Sequence, residues 1–92
     1  MPVYSIILTR RAERGLNRLS PALQRKALEF IDSYLKETPL RPWPGKIKWL
    51  RGSLSGTLQY DLSDDDRIWW QVDQVARLVT VTYIGPHPKE TD

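Results

Sequence analysis

The chain changes its hydrophobic period once, at a proline-rich segment. Between Thr9 and Thr38 apolar residues recur at helical spacing. From Lys46 onward they alternate, as in half-buried strands. Pro39 to Gly45, with three Pro and one Gly, separates the two regimes. Pro lacks the amide donor and has a fixed φ, so no regular element runs through it. The segment is too short for an interdomain linker. Helices that precede the strands in a block, rather than alternating with them, indicate an α+β two-layer domain.

Val3 to Leu8 is short, β-rich and reads as an opening strand. Thr9 can cap a helix through Leu19, with Ala12, Leu16 and Leu19 on one face. Gly15 weakens that helix slightly. Ser20-Pro21 is a helix start, an N-cap residue before Pro at the first helical position. Leu23, Ala27, Phe30, Ile31, Tyr34 and Leu35 then form an apolar stripe that Thr38-Pro39 ends. The two helices make a hairpin. Strands are expected at Lys46 to Arg51, Thr57 to Leu62, Arg67 to Asp73 and Arg77 to Ile84, with turns at Gly52 to Gly56, Ser63 to Asp66 and Gln74 to Ala76. The order β-α-α-β-β-β-β predicts a helical hairpin over one face of a three- or four-stranded antiparallel meander, leaving the other face to bind something. In the strand Lys46 to Arg51, Ile47 and Trp49 are expected on the buried face and Lys46 and Lys48 on the open one.

Ninety-two residues suit one domain spanning 1–92. With 40% hydrophobic residues, four Trp and four Tyr, the chain is globular rather than disordered. It has no Cys, which excludes disulfide scaffolds, thiolate zinc sites and cysteine nucleophiles. Its one His excludes His-clustered metal sites. Nothing approaches the ~20 apolar residues of a membrane span, and the N-terminus does not resemble a signal peptide. A soluble cytoplasmic protein without metal or cofactor is the expectation. Asp64-Asp65-Asp66 lacks the glycine and distal glutamate of a calcium loop and reads as a solvated turn.

The net charge is +3, from 14 Lys/Arg and 11 Asp/Glu. Arg10 to Arg51 holds eleven cations against four acids, a balance of +7; Gly52 to Asp92 holds three against seven, a balance of −4. Such asymmetry points to a polyanion-facing surface, though solvated helix faces explain it equally well. His87 comes after the last strand between two prolines, where it is either a held proton donor or a surface side chain. Arg67 and Trp69 share one parity of their strand. If the strands are neighbours, Lys46, Lys48, Arg51, Arg67 and His87 converge on the open face. Cations there stabilise a pentacoordinate phosphorane, and a His protonates a leaving 5′-oxygen, which suits RNA cleavage by 2′-hydroxyl attack. Trp69, if exposed, stacks on a base; if covered by a loop, it does not.

The chain resembles the RelE/ParE superfamily, the toxins of bacterial toxin–antitoxin pairs, on three stretches. The opening strand runs into Leu16-Asn17-Arg18-Leu19-Ser20-Pro21 and a second amphipathic helix. Leu50-Arg51-Gly52-Ser53-Leu54-Ser55-Gly56 is similar to the family's Leu-Lys-Gly-x-Leu-x-Gly. Asp66-Arg67-Ile68-Trp69-Trp70 is similar to the family's arginine-bearing strand, with a valine-rich strand and a terminal His after it. The resemblance, nearest the RelE/YoeB-like branch, implies a single RelE-like toxin domain. It also implies a metal-independent, ribosome-dependent mRNA endonuclease acting in the 30S A site, monomeric when free and neutralised by a cognate antitoxin. Residue by residue it implies Arg67 at the scissile phosphate, Lys48 and Arg51 as base or charge stabilisers with Lys46 as a further candidate beside them, and His87 as general acid; on the open face Lys46 and Trp69 are the expected RNA contacts. Lys48 stands where YoeB-like members place a glutamate, the middle strand lacks the arginines of many members, and Pro88 replaces a terminal aromatic. A ParE-like inhibitor of DNA gyrase and a catalytically impaired relative are the alternatives.

Overall fold

Thr9 and Ser20 each turn an extended segment into a helix. In the computed structural model, which describes residues 3–87, Thr9 Oγ1 accepts from the Ala12 amide at 3.1 Å and Ser20 Oγ from the Leu23 amide at 3.3 Å. These hydroxyls satisfy amides that a first helical turn leaves unpaired. Helix α1 spans Arg10–Arg18, and α2 spans Pro21–Phe30 with Pro21 in its first turn. α2 continues into a π-helical turn, Ile31–Leu35. That wider turn keeps Ile31 and Leu35 buried beside Ala27 and Phe30.

The strands are β1 (Ser5–Leu8), β2 (Ile47–Trp49), β3 (Leu58–Asp61), β4 (Asp66–Asp73) and β5 (Leu78–Pro86). They form one sheet in the order β1-β5-β4-β3-β2. β2 to β5 are the antiparallel meander expected from the alternation. β1 adds a fifth, parallel strand at the edge, with Ser5 opposite Leu78 and Leu8 opposite Val81. The loop between β2 and β3 contains a short 3-10 turn, Gly52–Leu54. The fold is therefore α+β as predicted, with a mixed sheet. Among the described residues no helix is long and apolar enough to cross a membrane.

The helices cover one sheet face through a core that includes Ala12, Ala27, Phe30, Leu35, Tyr60, Ile68, Trp70, Val79 and Val81. Phe30 stacks on Tyr60 with centroids 3.9 Å apart, and the Trp70 ring meets Phe30 at 5.5 Å and 64°. Trp70 Nε1 donates to the Pro39 carbonyl at 3.1 Å. A buried indole N–H needs a partner, and this one pins the irregular Pro39–Gly45 connection against the core.

A bulge in β5 sets which side chains reach each face of the sheet. Trp69 pairs with Tyr83 but Trp70 pairs with Val81, which leaves Thr82 without a partner on β4. The extra residue reverses the facing of the strand. Val79 and Val81 point into the core before it, and Ile84 does so after it, while Tyr83 joins Trp69 on the opposite face. Thr9 holds the bulge, since its hydroxyl donates to the Thr82 carbonyl at 3.1 Å and its amide to the Val81 carbonyl at 3.0 Å. Past Val81, β1 has ended, and α1 lies along the vacated edge.

Gly15 makes that close approach possible. A Cβ placed there would sit 1.6 Å from the Ile84 carbonyl oxygen. The sequence-based expectation that Gly15 merely weakens α1 is thus corrected: the missing side chain is what seats the helix. Gly→Ala in an ordinary helix interior stabilises by about 1 kcal/mol. Here Gly15→Ala is expected to destabilise by about 2 kcal/mol or more, because backbone must move. Urea unfolding midpoints of the two proteins check the sign.

Candidate functional site

The sheet face away from the helices carries the polar parity of β2, β3 and β4. Lys48 pairs with Gln59, Gln59 with Trp69, and Trp69 with Tyr83, giving one row across four strands. In the next row Asp61 pairs with Arg67 and Arg67 with Gly85, while the Asp61 amide donates to the Lys46 carbonyl at 3.1 Å. At the end of these rows lies a cleft of about 300 Å³, lined by Gly45, Lys46, Ile47, Lys48, Gln59, Asp61, Arg67 and His87. Three cations there face one carboxylate.

Arg67 is the most constrained of them. Its Nη1 donates to the carbonyls of Ser63 at 2.9 Å, Asp66 at 3.0 Å and Asp64 at 3.3 Å. Its Nε is 3.1 Å from Asp61 Oδ1, close enough for an ion pair, yet it is buried without hydrogen-bond geometry to any partner. The cross-strand register alone brings these two charges together. The aspartate run is therefore a turn built around a guanidinium. Ser63 Oγ accepts from the Asp65 and Asp66 amides and donates to Asp66 Oδ2 at 3.0 Å. The Asp65 carbonyl in turn accepts from the His87 amide at 2.9 Å. His87 is exposed and its backbone is tied to the same turn that Arg67 braces. Pro88, its second predicted restraint, lies outside the described residues.

Of the residues singled out by sequence, Lys46, Lys48, Arg67 and His87 meet in this cleft. Arg51 does not. It is exposed past the end of β2, where it lines a separate depression with Lys48, Trp49 and Leu50. Trp69 is corrected as a stacking platform, because it is only 2% exposed. Its Nε1 donates to Gln59 Oε1 at 2.9 Å, and its ring lies against Tyr83 at 5.2 Å. Trp49 departs from expectation in the opposite sense. Expected on the buried face, it is 57% exposed, at the end of β2, an edge strand of the sheet.

Asp61 and Gln59 were missed as site residues. Their signal was present: they are the two polar positions of β3, on the parity opposite Leu58, Tyr60 and Leu62. On the core side, burial and then the Asp61 charge push the Tyr60 hydroxyl up. Burial, opposed by Arg41, does the same for Tyr34. Both phenols stay neutral near pH 7.

No protein-family model and no curated protein sequence matches the chain. Solved structures do. The RelBE2 toxin–antitoxin complex from Mycobacterium tuberculosis matches with a TM-score of 0.77 and 26% identity over 92% of this chain and 99% of that one. The archaeal RelE–RelB complex from Pyrococcus horikoshii matches with a TM-score of 0.75 and 22% identity, covering 97% and 99%. A YoeB/ParE toxin from Agrobacterium tumefaciens matches with a TM-score of 0.78 and 17% identity, covering 91% and 99%.

The bracing role assigned to Arg67 is separable from any ligand. Arg67→Lys loses the carbonyl contacts and should cost about 1–3 kcal/mol without RNA present. Hydrogen exchange at the His87 amide should accelerate in the same variant, and unchanged protection there would show that the turn stands without the guanidinium.

Proposed function

From the RelE/ParE toxin superfamily fold that this chain carries, we propose that it is the toxin of a type II toxin–antitoxin pair and cleaves mRNA on the ribosome. The observation that carries this reading is the gathering of Lys46, Lys48, Arg67 and His87, from three separate stretches of sequence, in one cleft. The toxin–antitoxin complexes among its structural neighbours support a protein antitoxin as the partner.

The reaction needs no metal. The ribose 2′-hydroxyl loses its proton and its oxygen bonds to phosphorus. The P–O5′ bond then breaks, leaving a 2′,3′-cyclic phosphate. Lys48 acts as base or as a cation beside the phosphorane, with Lys46 adding positive potential. Arg67 presents the guanidinium nitrogen that its own turn does not occupy to a phosphate oxygen. His87 gives a proton to the departing 5′-oxygen. Asp61 holds Arg67 and is the one carboxylate lining the cleft among the described residues. Arg51, past the end of β2 and outside the cleft lining, is left to flanking RNA.

General acid catalysis is worth roughly 10²–10⁴-fold. His87→Ala should therefore lower cleavage in a ribosome-programmed assay by about 10²-fold or more, and relieve growth arrest on expression. Cleavage at the wild-type rate removes His87 from the mechanism.

One observation favours a second reading. Most of the Arg67 guanidinium is engaged by the protein itself, as a structural brace requires and a phosphate ligand does not. A ParE-like inhibitor of DNA gyrase needs no acid–base pair. Inhibited supercoiling by wild type and His87→Ala alike, with mRNA left intact, would select it.

A further inference from the structure

Across the paired ends of β4 and β5 from the candidate cleft lies a second one, of about 350 Å³, between α1 and the edge of β5. Arg11, Arg14 and Arg18 line it from the helix. Their spacing of three and four residues puts them on one face. The Arg11 guanidinium lies over the Tyr83 ring, 4.6 Å from its centroid. Arg14 and Arg18 are exposed and make no ion pair among the described residues. They stand one helical turn apart, about 6 Å along the axis, comparable with the separation of successive phosphates in an RNA strand. Among the described residues Asp66 is the one acid in this lining, and its Oδ2 is taken by the Ser63 hydroxyl.

The two clefts adjoin at the paired ends of β4 and β5. Asp66 and its partner Pro86 line the arginine cleft, while the next residues, Arg67 and His87, line the other. Between them runs Gly85, paired with Arg67 and bearing no side chain. Gly85 holds φ at 147°, where side chains are rarely accommodated, and is buried beneath the Tyr83 ring, whose hydroxyl lies 3.1 Å from where a Cβ would stand, so the clefts adjoin on either side of a covered strip.

We propose that Arg14 and Arg18, beside Arg11, form a phosphate-binding subsite for the RNA strand flanking the bond that the candidate cleft cleaves. The identity of the ligand rests on the nuclease reading; the anion site rests on the arginines. Guanidinium groups suit phosphate oxygens because they offer paired, fixed donors. Adjacency to the cleft holding Lys48 and His87, together with the phosphate-like spacing of Arg14 and Arg18, favours a nucleic acid strand over an acidic peptide. Exposure on a capped helix means that removing the two side chains leaves the fold intact.

The test measures binding of an uncleavable 2′-O-methyl RNA octamer, and of a dinucleotide, to wild type and to Arg14→Gln/Arg18→Gln across a salt series. Each single-strand phosphate contact contributes about 0.7 to the log–log salt slope. The octamer slope should fall by about 1.4 in the double variant, with weaker octamer binding, unchanged dinucleotide binding and unchanged thermal unfolding. Equal octamer affinity and slope for the two proteins overturns the proposal, as does no octamer binding by wild type. Displacement of the octamer by a heptaglutamate peptide at matching concentrations also overturns it, in favour of an acidic protein segment. Cleavage on programmed ribosomes, run in parallel, separates the two readings. Arginine-dependent binding without cleavage defeats the nuclease and keeps the subsite, while His87-dependent cleavage with arginine-independent binding does the reverse.

Discussion

The guanidinium of Arg67 organises the functional end of the molecule. It sits opposite Asp61 across β3 and β4, and its Nη1 gathers three backbone carbonyls from the turn between those strands. A turn carrying three consecutive aspartates repels itself; a half-buried cation at its centre offsets that repulsion and donates to the turn's carbonyls. The same turn accepts the His87 amide. One side chain thus sets the position of the carboxylate, the turn and the imidazole-bearing backbone. Such a residue is awkward to interpret as a ligand group alone, because its geometry is already determined by the protein. Its preorganisation is nevertheless what a phosphate site needs, since no side-chain entropy remains to be lost when an anion arrives.

Much of the fold could be read from local chemistry. Thr9, Ser20 and Pro21 mark helix starts by their own hydrogen-bonding and backbone limits, and the alternation from Lys46 onward yields the meander. What could not be read depends on contacts between elements distant in sequence. Gly15 looks like a mild helix breaker until the Ile84 carbonyl is seen against it. The parallel placement of β1 beside β5 joins residues more than seventy positions apart. Trp49 obeys a correct strand pattern and is still exposed, since alternation says which residues share a face and not whether anything covers that face.

The candidate site divides along the same line. Lys46, Lys48 and Arg67 are placed by strand parity, which sequence reports well, and His87 is placed directly by where β5 ends. Arg51 lies past the end of β2 and on the parity of Ile47 and Trp49, so strand alternation does not bring it beside Lys46 and Lys48. Trp69 has the right parity and the wrong surroundings, closed in by Gln59 and Tyr83. Asp61 needed the register between β3 and β4, which no single strand discloses.

The unpaired Thr82 has a consequence for how this protein can vary. Because the bulge reverses the facing of β5 midway, Val81 and Ile84 can both enter the core while Tyr83 looks the other way. Substitutions along the strand are judged one side chain at a time. A gain or loss of one residue beyond the bulge, between Tyr83 and His87, would instead exchange every inward and outward position downstream and carry the imidazole to the wrong side of the sheet. The distance counted in residues from the bulge to the histidine is therefore a more rigid inheritance than the identity of any residue within it.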